Sequence, residues 1–138
     1  MYTHPNIFHL FDGLRVYRGP LTLSRQALDG ALLVPAYDAD GTLQTWQAIP
    51  AGEGKKLNAP RPVTGWFTVG GKPREGVRCY VVEGIGQAWA AHQATSAPAV
   101  VAFGAGRIEA VARAVAERTP GVRLVLVADV GKEAATER

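Results

Sequence analysis

Two acids occupy chemically useful places in this chain. Glu83 closes the apolar run Arg78-Cys79-Tyr80-Val81-Val82, and Asp129 follows the run Val122-Arg123-Leu124-Val125-Leu126-Val127. A third run, Ala99-Val100-Val101-Ala102-Phe103, lies between them. Each is short, rich in β-branched residues and almost unbroken in apolarity, as expected of a parallel strand covered on both faces. In an open α/β sheet, ligands bind beyond the carboxyl ends of the strands. If the last run pairs beside the first, Glu83 and Asp129 emerge side by side. Two neighbouring carboxylates repel, and a divalent cation relieves the repulsion. Magnesium suits such a site, because it accepts one or two carboxylates and keeps waters for a phosphate substrate; manganese can stand in for it.

Other residues compete for attention. Gly84, Gly104 and Gly106 follow strand ends, where glycine either lets a phosphate approach the backbone or simply serves the turn. Asp38 and Asp40 look like a metal-binding pair, but Asp38-Ala39-Asp40-Gly41 is better read as the tight turn of a hairpin. Cys79, the single cysteine, falls inside an apolar run and reads as a small core residue. His4, His9 and His92 have no metal-ligand spacing. Lys55, Lys56, Arg61, Lys72, Arg74 and Arg78 share a stretch with Trp66 and Phe67. Cations interleaved with aromatics suit phosphates and unstacked bases, although a solvated loop face with two core aromatics gives the same pattern.

The elements that must position these residues are legible in part. The runs Ala31-Leu32-Leu33-Val34-Pro35-Ala36-Tyr37 and Leu43-Gln44-Thr45-Trp46-Gln47-Ala48-Ile49 flank the acidic turn and predict a hairpin. Pro35 places its strand at an edge or at a bulge. Residues 21–28 are expected to form a short helix after Pro20, and residues 65–69 a strand within a loop-rich passage. Ile85, Ala88, Trp89, Ala91, His92 and Ala94 predict one helix, and Ile108, Val111, Ala112, Val115 and Ala116 a second. Arg107, Glu109, Arg113, Glu117 and Arg118 read as solvated charges on its far side. A third helix is expected from Gly131 or Lys132.

At 138 residues and a formal charge of +3, the chain is mildly basic, and net charge alone does not argue for a nucleic-acid partner. It carries no long apolar span and no signal-peptide pattern at its amino terminus, so a cytoplasmic location without membrane insertion is expected. One cysteine rules out both an internal disulfide and a zinc finger.

The ordered set Tyr80-Val81-Val82-Glu83-Gly84, Val100-Val101-Ala102-Phe103-Gly104-Ala105-Gly106 and Leu124-Val125-Leu126-Val127-Ala128-Asp129 resembles the TOPRIM (topoisomerase-primase) domain of DNA primases carried by plasmids, integrative elements and phage satellites. Upstream, Leu32-Leu33-Val34-Pro35, Asp38-Ala39-Asp40-Gly41, Gln47, Lys55-Lys56-Leu57 and Gly65-Trp66-Phe67 are similar to the β-rich segment that precedes TOPRIM in these primases. The resemblance implies an α/β fold, a Rossmann-like TOPRIM parallel sheet over residues 77–138, truncated at its carboxyl end. It implies a small β-rich segment with a hairpin and a basic loop over residues 1–76.

It further implies magnesium-dependent nucleotidyl transfer for primer synthesis in DNA replication. Glu83 would assist proton transfer, Asp129 would hold the metal, and the partners would be single-stranded DNA template, nucleoside triphosphates and a helicase module. The family's Asp-x-Asp pattern reads Asp129-Val130-Gly131 here, so its second acid is missing. Glu133 could replace it, or could be an ordinary early acid of a helix. Lys55, Lys56, Arg61 and Lys72, with Gly84 and Gly104, are the expected contacts to nucleic acid or nucleotide. The missing acid leaves open a non-catalytic nucleic-acid-binding or assembly module with a degenerate metal site. A nuclease using the same metal edge is a further alternative.

Overall fold

The computed structural model describes residues 5–10, 12–52, 54–60 and 62–127. Asp129 and Glu133, the helix expected from Gly131 or Lys132, and Arg61 lie outside these residues. The chain divides into two compact units, 1–64 and 65–138. Residues 65–76, read above as the end of the first segment, group with the second unit because they contain a strand of its sheet.

The first unit carries β1 (Ile7–His9), β2 (Arg15–Tyr17), β3 (Thr22–Leu23), β4 (Gln26–Ala27), β5 (Leu32–Tyr37), β6 (Leu43–Ile49) and β7 (Leu57–Ala59). Five of them form one antiparallel sheet in the order β1-β2-β5-β6-β7. The β5–β6 hairpin turns at Asp38, whose Oδ1 accepts the N–H groups of Asp40 and Thr42 at 2.9 and 3.0 Å. Its Oδ2 accepts Gln44 Nε2 at 3.0 Å, so the turn occupies this carboxylate. One face of the sheet presents Leu33 and Ala48 to a cluster with Tyr17, Leu28 and Ala31, joined by Trp46 and Leu57. By strand alternation Val34, Ala36, Thr45 and Gln47 share the opposite face, and they are buried too.

Pro35 sits in a central strand rather than at an edge. Tyr17 N–H donates to the Ala31 carbonyl, so Ala31, Leu33 and Pro35 turn their backbone groups toward β2. The β2 pairing ends at Arg15↔Leu33, and the position facing Pro35 needs no N–H. A register shift follows at Ala36/Tyr37. Residues 21–28 are also not helical. They form the two-stranded β3–β4 hairpin, with Ser24 and Arg25 at φ of 51° and 64° in its two-residue turn. Such a turn needs positive φ twice, and Ser-Arg lacks the usual Asn-Gly signal.

The second unit carries β8 (Phe67–Val69), β9 (Arg78–Val82), α1 (Ile85–Thr95), β10 (Ala99–Val101), a 3₁₀ turn (Ala105–Arg107), α2 (Ile108–Arg118) and β11 (Arg123–Leu126). Its sheet runs β11-β9-β10-β8; β10 and β11 flank β9 in parallel, and β8 closes the far edge antiparallel. The crossover β9-α1-β10 and the crossover β10-α2-β11 run in opposite directions across the sheet, and right-handed connections therefore put α1 and α2 on opposite faces. Ile108, Val111, Ala112 and Val115 of α2 seal Cys79, Val81, Val100 and Ala102, with Trp66 and Leu124 packed alongside. Each valine buried here contributes roughly 1.5–3 kcal/mol of hydrophobic stabilisation.

The expectation of a Rossmann-like parallel α/β fold is corrected by this architecture. Eleven strands and two α-helices make the described chain mostly β. The larger sheet is entirely antiparallel and the smaller one carries an antiparallel edge. The first thirty residues, weak in apolar periodicity, contribute four short strands that the sequence reading did not assign. No helix among the described residues is long and apolar enough to cross a membrane.

Candidate functional site

The carboxyl ends of β9 and β10 carry the residues with most chemical promise. Glu83 follows Val82 directly and is half-buried. Its backbone is held from both sides. Gln87, on the first turn of α1, uses Oε1 to accept the N–H groups of Glu83 and Gly84, each at 3.1 Å. The Glu83 carbonyl accepts Phe103 N–H at 2.9 Å and Gly104 N–H at 3.3 Å from the end of β10. The acid therefore projects from a fixed peptide, which a charge used in catalysis requires.

The loop opposite Glu83 is conformationally unusual. Phe103, buried, has φ of 64°, and Gly104 follows with φ of 143°. A side chain at Gly104 would meet nothing within 4 Å, so glycine serves the backbone conformation there and not close packing. Gly84 has extended backbone, φ −134°, that any residue can adopt.

Arg107 is the residue that the sequence reading missed. It is half-buried and not a solvated charge, and its NH1 donates to the carbonyls of Ala102 at 2.7 Å and Gly65 at 2.9 Å. These bonds tie the end of β10 to the chain entering β8. Burial lowers the guanidinium pKa from its ordinary value. The available signal was position: a cation at a helix amino terminus opposes the dipole, so one placed there needs another partner. Glu109 and Arg113, by contrast, are the exposed charges expected, and they pair at 2.6 Å.

The remaining candidates separate. Lys55 and Lys56 are exposed in the first unit, and Lys72 is exposed in the second. The two aromatics among these cations are structural: Phe67 is buried in β8 and Trp66 packs on the α2 core. Cys79 is fully buried, and burial pushes its thiol up to about 11, which removes it as a nucleophile at neutral pH. His92 is half-buried near the end of α1, its Nδ1 2.8 Å from the Ala97 carbonyl.

Among the described residues no group of three or more histidines, cysteines or acids stands together as a metal site. Glu83 still suits a magnesium ligand chemically, being a fixed carboxylate at a strand end, and this ion accepts as few as one or two carboxylates from protein. Asp129, its expected companion, is two residues beyond Val127, whose N–H donates to the Val81 carbonyl at 3.0 Å and extends the parallel pairing of β11 with β9. No family model, no curated protein and no solved structure matches the chain.

Proposed function

We propose that the chain performs magnesium-dependent nucleotidyl transfer on nucleic acid, as the catalytic fragment of a mobile-element DNA primase. The observation that carries this reading is the placement of Glu83. It follows the central strand of a parallel trio, and the neighbouring parallel strand β11 runs on toward Asp129. Glu83 and Asp129 would hold the cation, with Glu133 as a third ligand, and Glu83 would also accept a proton from the attacking hydroxyl. A bound divalent cation neutralises triphosphate charge and favours in-line displacement. Gln87 and the Phe103-Gly104 backbone fix the peptide that carries Glu83. Gly84 and Gly104 flank the reacting phosphates, while Lys55, Lys56, Arg61 and Lys72 attract the template strand.

Gly131 favours a second reading, since it stands where the resemblance expects another acid. On that reading the chain binds nucleic acid without catalysis. Incubation with labelled single-stranded DNA, magnesium and nucleoside triphosphates separates the possibilities. New oligonucleotides support the primase, shortening of the labelled strand identifies a nuclease, and retained binding with neither product supports the non-catalytic module.

A further inference from the structure

The outer edge of β7, in the first unit, borders a groove of about 210 Å³. Leu23 and Ser24 of the β3–β4 hairpin form one wall and residues 56–60 the other. Sites for drug-sized ligands begin near 300 Å³, so this groove admits one monomer unit of a longer chain and not a whole cofactor.

Its second wall is fixed at long range. Gln26 Nε2 donates to the Lys55 carbonyl at 3.0 Å, and Gln26 Oε1 accepts Lys55 N–H at 2.6 Å. The side-chain amide thus pairs with the backbone of Lys55 as a strand partner would. Next to this clamp, Lys56 lines the groove and has no carboxylate partner among the described residues. The sheet register also sets what the edge offers. Ala31, Leu33 and Pro35 face β2, so Gln47 turns its backbone to β5, Trp46 and Ala48 face β7, and Leu57 and Ala59 face inward. The N–H and C=O of Asn58 are left pointing outward. The Asn58 side chain is engaged on the sheet face, where its Oδ1 accepts Gln47 Nε2 at 3.3 Å.

We infer that this groove is a subsite for a single nucleotide of single-stranded nucleic acid. The base packs against Leu23 and Leu57, its polar edge meets the Asn58 N–H and C=O, and the adjoining phosphate is held by Lys56. An acidic peptide adding as a strand is the competing occupant, and the edge argues against it. Strand addition draws affinity from a run of main-chain bonds, whereas β7 has three residues and the next outward position is Pro60, which has no N–H. The inference deepens the nucleic-acid part of the function proposed above and needs no metal.

The test is amide chemical-shift mapping of the full chain carrying Glu83→Gln, in EDTA, titrated with an oligothymidylate and separately with an oligoglutamate. The oligothymidylate is expected to shift the amides of Ser24 and of residues 56–59. Lys56→Glu and Leu23→Glu, both at exposed positions, are each expected to weaken binding at least about fivefold, with the salt slope falling by about one for Lys56→Glu. Shifts confined to other residues, affinity indifferent to both substitutions, or a response to oligoglutamate alone would overturn the assignment. Because the variant lacks the Glu83 carboxylate and no metal is present, these outcomes are independent of whether the catalytic reading holds.

Discussion

A glutamine side chain fixes the backbone of a charged segment in each unit. In the second unit Gln87 accepts the N–H groups of Glu83 and Gly84 from within the next helical turn. In the first unit Gln26 brackets both the N–H and the carbonyl of Lys55 from 29 residues away. The first lock is local, seated on a helix and backed by the carbonyl bonds of Glu83 to β10. The second lies on an exposed loop and rests on a two-stranded hairpin. The Glu83 backbone is thus fixed within the unit that has a packed parallel core, whereas the Lys55 backbone is fixed only by a side chain from a distant hairpin. Under the proposed function the second unit would supply the chemistry, and Lys55 and Lys56 of the first would add grip to that of Lys72.

Replacing the acid breaks the comparison most strongly. Glu83→Gln is expected to lower magnesium-dependent nucleotide incorporation by at least about 10²-fold, the usual scale for loss of an acid-base group, while leaving the melting temperature nearly unchanged. A comparable fall for Lys55→Glu would deny the division of labour. Next in size is the alkaline behaviour of the core beneath Glu83. The Cys79 thiol titrates near 11 when folded against an ordinary value of 9.0, so the unfolded chain loses its proton first. Its contribution is complete below pH 9 and disappears as pH rises from about 9 to 11, a loss of about 2–3 kcal/mol; Cys79→Ala should flatten that part of a denaturation-versus-pH curve.

The two locks themselves give smaller effects of different kinds. Gln87→Ala removes a helix-terminal acceptor and is expected to cost about 1 kcal/mol of global stability, measured by urea denaturation, together with a several-fold weaker manganese affinity. Gln26→Ala should cost less than about 0.5 kcal/mol globally, as surface changes do. Its signature is local: the Lys55 amide loses hydrogen-exchange protection while the Phe103 amide keeps its own. Equal global costs for the two alanine variants would remove the distinction between a lock at a helix end and one on an exposed loop.

The same contrast explains what the sequence made legible. The runs around Val81 and Val100 announce strands because their residues bury on both faces of a covered sheet, and the α1 and α2 spacings mark helices packed against them. The run around Val125 is also a strand, but it lies at the sheet edge with Val125 and Leu126 exposed, so the expectation of cover on both faces fails there. The β5–β6 hairpin was equally plain, since Asp38 and Gly41 provide the side-chain bonds and positive φ of its turn. The β3–β4 hairpin was not, because tertiary context places Ser24 and Arg25 in conformations that their identities do not favour. Prevalence of antiparallel pairing was also hidden. Partner direction depends on contacts far apart in sequence, and the short strands near the amino terminus have little apolar alternation. At the site, Glu83 was readable from its place after an apolar run, and Gln87 could be found from the spacing of a capping box. Arg107 was misread, since its acceptors are the carbonyls of Gly65 and Ala102, and the first of these is 42 residues away.

Calorimetric titration of manganese, then magnesium, into the chain and into folded Glu83→Ala and Asp129→Ala variants tests the central claim most directly. The account predicts that the parent chain binds the cation and that either substitution abolishes binding. Binding that survives both changes, or none in the parent chain, would contradict a metal centre at this edge and leave nucleic-acid binding without catalysis as the function.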